Sequence, residues 1–93
     1  MRENQNGGVS VSAQKRLIER LRVLRKKHGL TQEGFSELSG ISYKYYQQIE
    51  IGRKPDLRFS TLERLAKAYG IEVHRLLGPE LPTTQVKGPK GAR

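Results

Sequence analysis

An all-α fold of five short helices follows from three features of the 93-residue sequence. Leu17, Leu21, Leu24 and His28, and again Phe59, Leu62, Leu65, Ala66 and Tyr69, recur at helical spacing and not in the alternation of a strand. Hydroxyl residues stand where helical runs begin, and glycines stand where they end. No internal repeat and no strand-like run interrupts this pattern.

The first helix is expected from about Ser12, its candidate cap, to Lys27. Leu17, Leu21, Leu24 and His28 share one face, with Ile18 and Arg25 on the flank, and Gly29 ends it. Thr31 opens the second helix, which buries Phe35 and Leu38, and Gly40 suits a left-handed terminal position. Ile41 alone separates Gly40 from the next cap, Ser42. The third helix then covers Tyr43–Ile51 and stops at Gly52. After the loop Arg53–Arg58 comes the fourth helix, with Phe59, Leu62, Leu65, Ala66 and Tyr69 on its inner face and Gly70 at its end. A short fifth turn holds Val73, Leu76 and Leu77, and Gly78-Pro79 closes it.

The ends have a different composition. Residues 1–11 are rich in Asn, Gln, Gly and Ser, and residues 79–93 carry three prolines and two glycines. Both read as flexible arms around a compact domain at 12–78.

Eighteen Lys and Arg against nine Asp and Glu give a formal charge of +9. The domain itself is basic, with two bases for each acid over residues 12–78. Such a charge points to nucleic acid or another acidic surface as partner. The sequence has no cysteine, which excludes disulfides, thiolate zinc sites and a cysteine nucleophile. No glycine-rich phosphate loop or HExxH motif is present, and His28 and His74 stand apart. No catalytic activity, metal or cofactor is therefore expected. Without a long apolar run or a signal-like N-terminal segment, the expected location is cytoplasmic. The first helix carries seven bases between Lys15 and Lys27, as a membrane-surface helix does. Its leucines belong to the core, however, so its basic face is better read as a solvated surface that attracts nucleic acid.

Two short helices joined by a tight glycine turn in a basic all-α domain make a helix-turn-helix arrangement. The run GLTQEGFSELSGISYKYYQQIEIGRK, followed by FSTLERLAKAYGI and VHRLL, resembles the phage Cro/repressor-type (xenobiotic-response-element-like) family of bacterial transcriptional regulators. The resemblance covers about Leu17 to Leu77. It implies a dimeric regulator that binds double-stranded DNA, and a repressor acting on an inverted-repeat operator is the expected function. Departures from the family pattern are Ser36 and Ser39 in place of alanine or leucine, Gly34 within the second helix, and a proline displaced to Pro55.

The resemblance makes Tyr46 and Ile49 core-facing. At ~100° per residue Lys44, Gln48 and Ile51 then point away from the core, and Gln47 lies on the shoulder. The family's base-reading positions match Tyr43, Lys44 and Gln48. Glutamine pairs with adenine and lysine donates to guanine, so Tyr43, Lys44, Gln47 and Gln48 form the candidate base-reading set. Polar residues on a short helix are also commonly a solvated face. Gln32, at the start of the second helix, matches a family glutamine that contacts phosphate. Arg53 and Lys54 fall over the DNA backbone, and Tyr45 is open to a flank or a phosphate contact. Arg25 and Glu50 match a family ion pair and are assigned to structure. Leu76, Leu77 and Leu81 cluster at the end of the domain, where the family dimerises. The rival reading is the antitoxin of a toxin–antitoxin pair, with residues 79–93 binding the toxin. That tail is basic, with three bases against one acid, whereas a segment that neutralises a basic toxin is expected to be acidic.

Overall fold

A computed structural model describes residues 5–86 of the chain, with side chains from residue 13 onward. Five helices follow one another: α1 (Gln5–Lys27), α2 (Gln32–Ser39), α3 (Tyr43–Glu50), α4 (Phe59–Ala68) and α5 (Val73–Leu77). No strand occurs among the described residues.

The helix boundaries follow local chemistry. Thr31 caps α2 by accepting the Gly34 N–H at 2.9 Å. A Cβ added at Gly34 would stand 3.2 Å from that cap oxygen, so the glycine leaves the cap room. Gly40 has φ 76°, and its N–H returns to the Ser36 carbonyl, which turns the chain within two residues of the next cap. Ser42 caps α3 by accepting the Tyr45 N–H at 3.1 Å. Ser36 and Ser39 are buried, with their hydroxyls donated to the Glu33 and Ser36 carbonyls. Serine at these core positions therefore leaves no unsatisfied hydroxyl.

One core joins all five helices. It comprises Leu17, Leu21, Leu24, Phe35, Ile41, Tyr46, Ile49, Leu65, Ala66, Tyr69 and Leu76. Phe35 is its hinge point. Its ring stacks on Tyr69 at 4.8 Å and tilts against Tyr46 at 5.0 Å, tying α2 to α3 and to the end of α4. Each such pair contributes ~0.5–1.5 kcal/mol beyond area burial. His28 extends the stack over Tyr69 at 5.8 Å.

Three expectations fail. The first helix begins at Gln5, not Ser12, so most of the arm read over residues 1–11 is helical; residues 1–4 lie outside the described residues. Once a helix is nucleated, each added residue gains a hydrogen bond without a new nucleation cost, and no proline stops this one. Phe59 begins α4 but is 62% exposed. The helical period aligns it with Leu62 and Leu65, yet the first turn lies beyond the core.

The third failure is the tail. Within the described part of 79–93, Pro82 is buried, and Val86 packs on the core. Thr84 Oγ1 and His28 Nε2 share a hydrogen bond of 2.7 Å, and the Gln85 N–H donates to the Tyr69 carbonyl at 3.0 Å. Arg20, buried on α1, donates to the carbonyls of Leu76 at 3.0 Å and of Arg75 and Pro79 at 3.5 Å. Burial pulls the Arg20 guanidinium below the usual arginine value, and Arg16 adds to this, yet arginine stays protonated. A cation thus closes the carbonyl end of α5, where helices leave acceptors unpaired. Residues 87–93 lie outside the described residues.

Candidate nucleic-acid interface

The site is built on α3, because the turn at Gly40 and the Ser42 cap set that helix across α1 and α2. Tyr46, Ile49 and Glu50 face inward and are buried. Exposed Lys44 and half-buried Gln48 point away from the core, half-buried Gln47 lies on the shoulder, and exposed Tyr43 stands at the N-terminal end. Ile51 is exposed at the helix end.

The inward side is held by an acid. Glu50 is 2% exposed and would be costly to bury alone. Its carboxylate accepts Arg25 Nε at 2.8 Å on one oxygen and Arg25 Nη2 at 3.1 Å on the other. Gln32 Nε2 donates to Oε1 at 2.9 Å, and the Tyr46 hydroxyl donates to Oε2. Arg22 Nη2 donates to the Glu50 main-chain carbonyl at 2.8 Å, with its Nε 3.8 Å from the carboxylate. Burial by itself raises the Glu50 carboxyl, but the hydrogen bonds from Arg25, Tyr46 and Gln32 outweigh it and hold the group below the ordinary glutamate value. The bond to Glu50 raises Arg25 in turn, against the opposing effect of burial. Burial pushes the Tyr46 hydroxyl far up, and its bond to Glu50 pushes the same way. The acid is ionised and both of its neighbours stay protonated, so the array is a fixed clamp on the last turn of α3.

The predicted residues fall into three groups. Arg25 and Glu50 are joined as a bidentate, largely buried pair. Tyr43, Lys44, Gln47, Gln48, Arg53 and Lys54 lie on α3 and the turn after it, and Lys54 Nζ rests 5.4 Å from the centre of the half-buried Tyr45 ring. The third group is placed otherwise than the sequence suggests. Gln32, read as a phosphate ligand, has its amide nitrogen engaged by Glu50, so its place in the clamp is structural first. Leu76, read as part of a dimer surface, is fully buried beneath its own chain, while Leu77 and Leu81 are exposed.

Arg22 and the Tyr46 hydroxyl are members of the clamp that sequence reasoning missed. The family resemblance, together with the three-residue spacing to Ile49, gives Tyr46 to the core, but neither says which polar atom its tip will meet. Arg64 is a further omission: its Nη1 donates to the Gly40 carbonyl at 3.1 Å, which pins the turn between α2 and α3 to α4. Among the described residues no group of three or more His, Asp and Glu is arranged to hold a metal ion, and no helix is long and apolar enough to cross a membrane.

Comparison with known proteins gives a consistent picture. A family model described as helix-turn-helix matches residues 21–76. The HTH-type transcriptional regulator DdrOP3 of Deinococcus deserti is 42% identical over 80 residues, which cover 82% of this chain and 60% of that protein. The immunity repressor protein of Bacillus phage phi105 is 40% identical over 63 residues, which cover 67% of this chain and 42% of that protein. The chain therefore spans less than two thirds of the length of either relative. No solved structure matches it.

Proposed function

The chain belongs to the helix-turn-helix family of DNA-binding transcriptional regulators, and on that premise we propose that it is a repressor that reads an inverted-repeat operator as a homodimer. The observation that carries this reading is the division of α3. Its inner side is fixed by the Glu50 clamp, while Lys44 and Gln48 point away from the core, Gln47 lies on the shoulder, Tyr43 stands at the N-terminal end, and Arg53 and Lys54 follow in the turn. A helix held this way presents base-reading groups at a defined angle, and the bases after it suit the phosphates that flank a major groove. The names of the two relatives, a transcriptional regulator and an immunity repressor, support the regulatory role. A cytoplasmic location fits the same reading.

Two copies are needed because a single module reads few base pairs and has little affinity above its non-specific background. The proposed contact uses Leu77 and the 48% exposed Leu81, not Leu76, which its own domain encloses. In-vitro selection of duplexes followed by sequencing tests the whole reading. The expected result is an inverted repeat with half-site centres about 34 Å apart. Failure to enrich any sequence overturns operator recognition. Sedimentation with the full site tests the assembly, and a strict 1:1 complex without a second binding event overturns the dimer. The antitoxin alternative requires residues 79–93 as a segment open to a toxin. Pro82, Thr84 and Gln85 instead engage the protein's own helices, which favours the DNA reading.

A further inference from the structure

We propose that Arg22, on α1, grips a DNA phosphate beside the end of α3 and forms part of the DNA interface. This rests on the DNA-binding reading above and adds to it a contact that does not come from the two helices of the motif.

The argument starts from a charge count within the clamp. One carboxylate, Glu50, faces two guanidinium groups. Arg25 is 13% exposed, and all three of its nitrogens are engaged: Nε and Nη2 on Glu50, and Nη1 on the Leu30 carbonyl at 3.0 Å. Arg25 therefore neutralises Glu50, and Arg22 is the surplus cation. Its Nε is 3.8 Å from the carboxylate, outside hydrogen-bond range, and its side chain is 48% exposed.

Position gives the surplus charge a use. Arg22 Nη2 donates to the main-chain carbonyl of the last residue of α3. One turn earlier on α1, Ile18 Cδ1 lies 3.6 Å from where a Cβ at Gly52 would be. Ile18 and Arg22 thus flank the turn that leads from α3 into exposed Arg53 and Lys54. The carbonyl end of a helix is negative and repels a phosphate. Arg22 offsets that end directly. Guanidinium is a planar fork of five donors, and tethering it through one nitrogen to a carbonyl fixes the plane of the rest. The fork is then oriented before DNA arrives, next to two further bases that share the same turn.

A cap that serves folding alone needs a hydrogen-bond donor but not a charge. Arg22→Gln keeps a donor and removes the charge, while Arg22→Lys keeps the charge and loses the fork. Lys67→Ala, at an exposed position of α4, removes the same charge elsewhere. The measurement is the affinity of the full chain for a random-sequence duplex across a sodium chloride series, with a thermal melt of each variant. For Arg22→Gln the expected result is binding weakened about 5–10-fold at low salt and a log–log salt slope reduced by about 1, with a melt close to wild type. Arg22→Lys keeps the wild-type slope. If Arg22→Gln leaves affinity and slope unchanged, or if Lys67→Ala lowers both as much, the proposed contact is overturned. If the wild-type chain does not bind the duplex at any salt concentration in the series, the DNA-binding reading itself fails.

Discussion

The two sides of α3 share eight residues and divide the chemistry between them. Toward the core, Glu50 receives hydrogen bonds from Arg25, Gln32 and Tyr46, and Arg22 holds its carbonyl. Outside the core-facing side, Lys44 and Gln48, with Gln47 on the shoulder and Tyr43 at the N-terminal end, make no side-chain hydrogen bond within the described chain. Polar groups on the first side are already paired, so changing one leaves others stranded at low dielectric. Polar groups on the second are paired with solvent, so changing one costs the folded chain little. A short helix thus separates Lys44 and Gln48 from the anchored residues by a rotation of about half a turn.

Glu50 sets the largest expected effect. Glu50→Ala strands the Arg25 charge and the Tyr46 hydroxyl and should lower unfolding free energy by about 3–5 kcal/mol in urea titration. A loss under 1 kcal/mol would show that the inner side is not the anchor. On the outer side, Lys44→Ala and Gln48→Ala should each cost about 1–3 kcal/mol on the selected operator and shift stability by less than about 0.5 kcal/mol. For Gln48→Ala, binding to random duplexes should stay near wild type. Equal weakening on operator and random DNA would remove Gln48 from the base-reading set.

Acid sharpens the same contrast. The folded value of Glu50 is depressed, so its contribution is complete above the ordinary glutamate value and is lost as pH falls through the folded one. Glu50→Gln should therefore flatten the acid side of the stability curve relative to wild type, while Gln48→Ala should leave its shape alone. Parallel acid limbs for wild type and Glu50→Gln would refute the depressed value. The smallest effect belongs to Tyr69, whose buried hydroxyl finds no partner among the described residues. Tyr69→Phe removes a stranded polar group and keeps the stack on Phe35, so it should raise stability by about 1 kcal/mol in the same titration. A clear loss would mean that the hydroxyl is satisfied in solution.

Local signals proved legible wherever one or two turns of chain determine the outcome. Thr31, Gly40 and Ser42 mark the α2–α3 turn because caps and left-handed glycines act within four residues. The pairing of Arg25 with Glu50 across 25 residues was reachable only through the family resemblance. Gln32, Arg22 and the Tyr46 hydroxyl escaped because periodicity gives the side of a helix and not the atom at the tip. Composition made 79–93 look like a free tail, yet the contacts of Thr84 with His28 and of Gln85 with Tyr69 depend on where α1 and α4 end in space. Phe59 failed for the opposite reason, since its period is right but its turn lies outside the core.

Arg20 has a consequence for the order in which the chain opens. It joins α1 to carbonyls 55 to 59 positions later, whereas α2 and α3 meet within a few residues of each other. Contacts that span most of the chain pay loop-closure entropy before they return any stability, so they form late and release early. α5 and the docked residues after it should then behave as a separate, less protected unit from the α2–α3 pair. In native-state hydrogen exchange, the amides of Arg75 and Leu76 should exchange through a lower-energy opening than those of Tyr46 and Ile49. A single shared opening energy would mean that the molecule unlocks all at once.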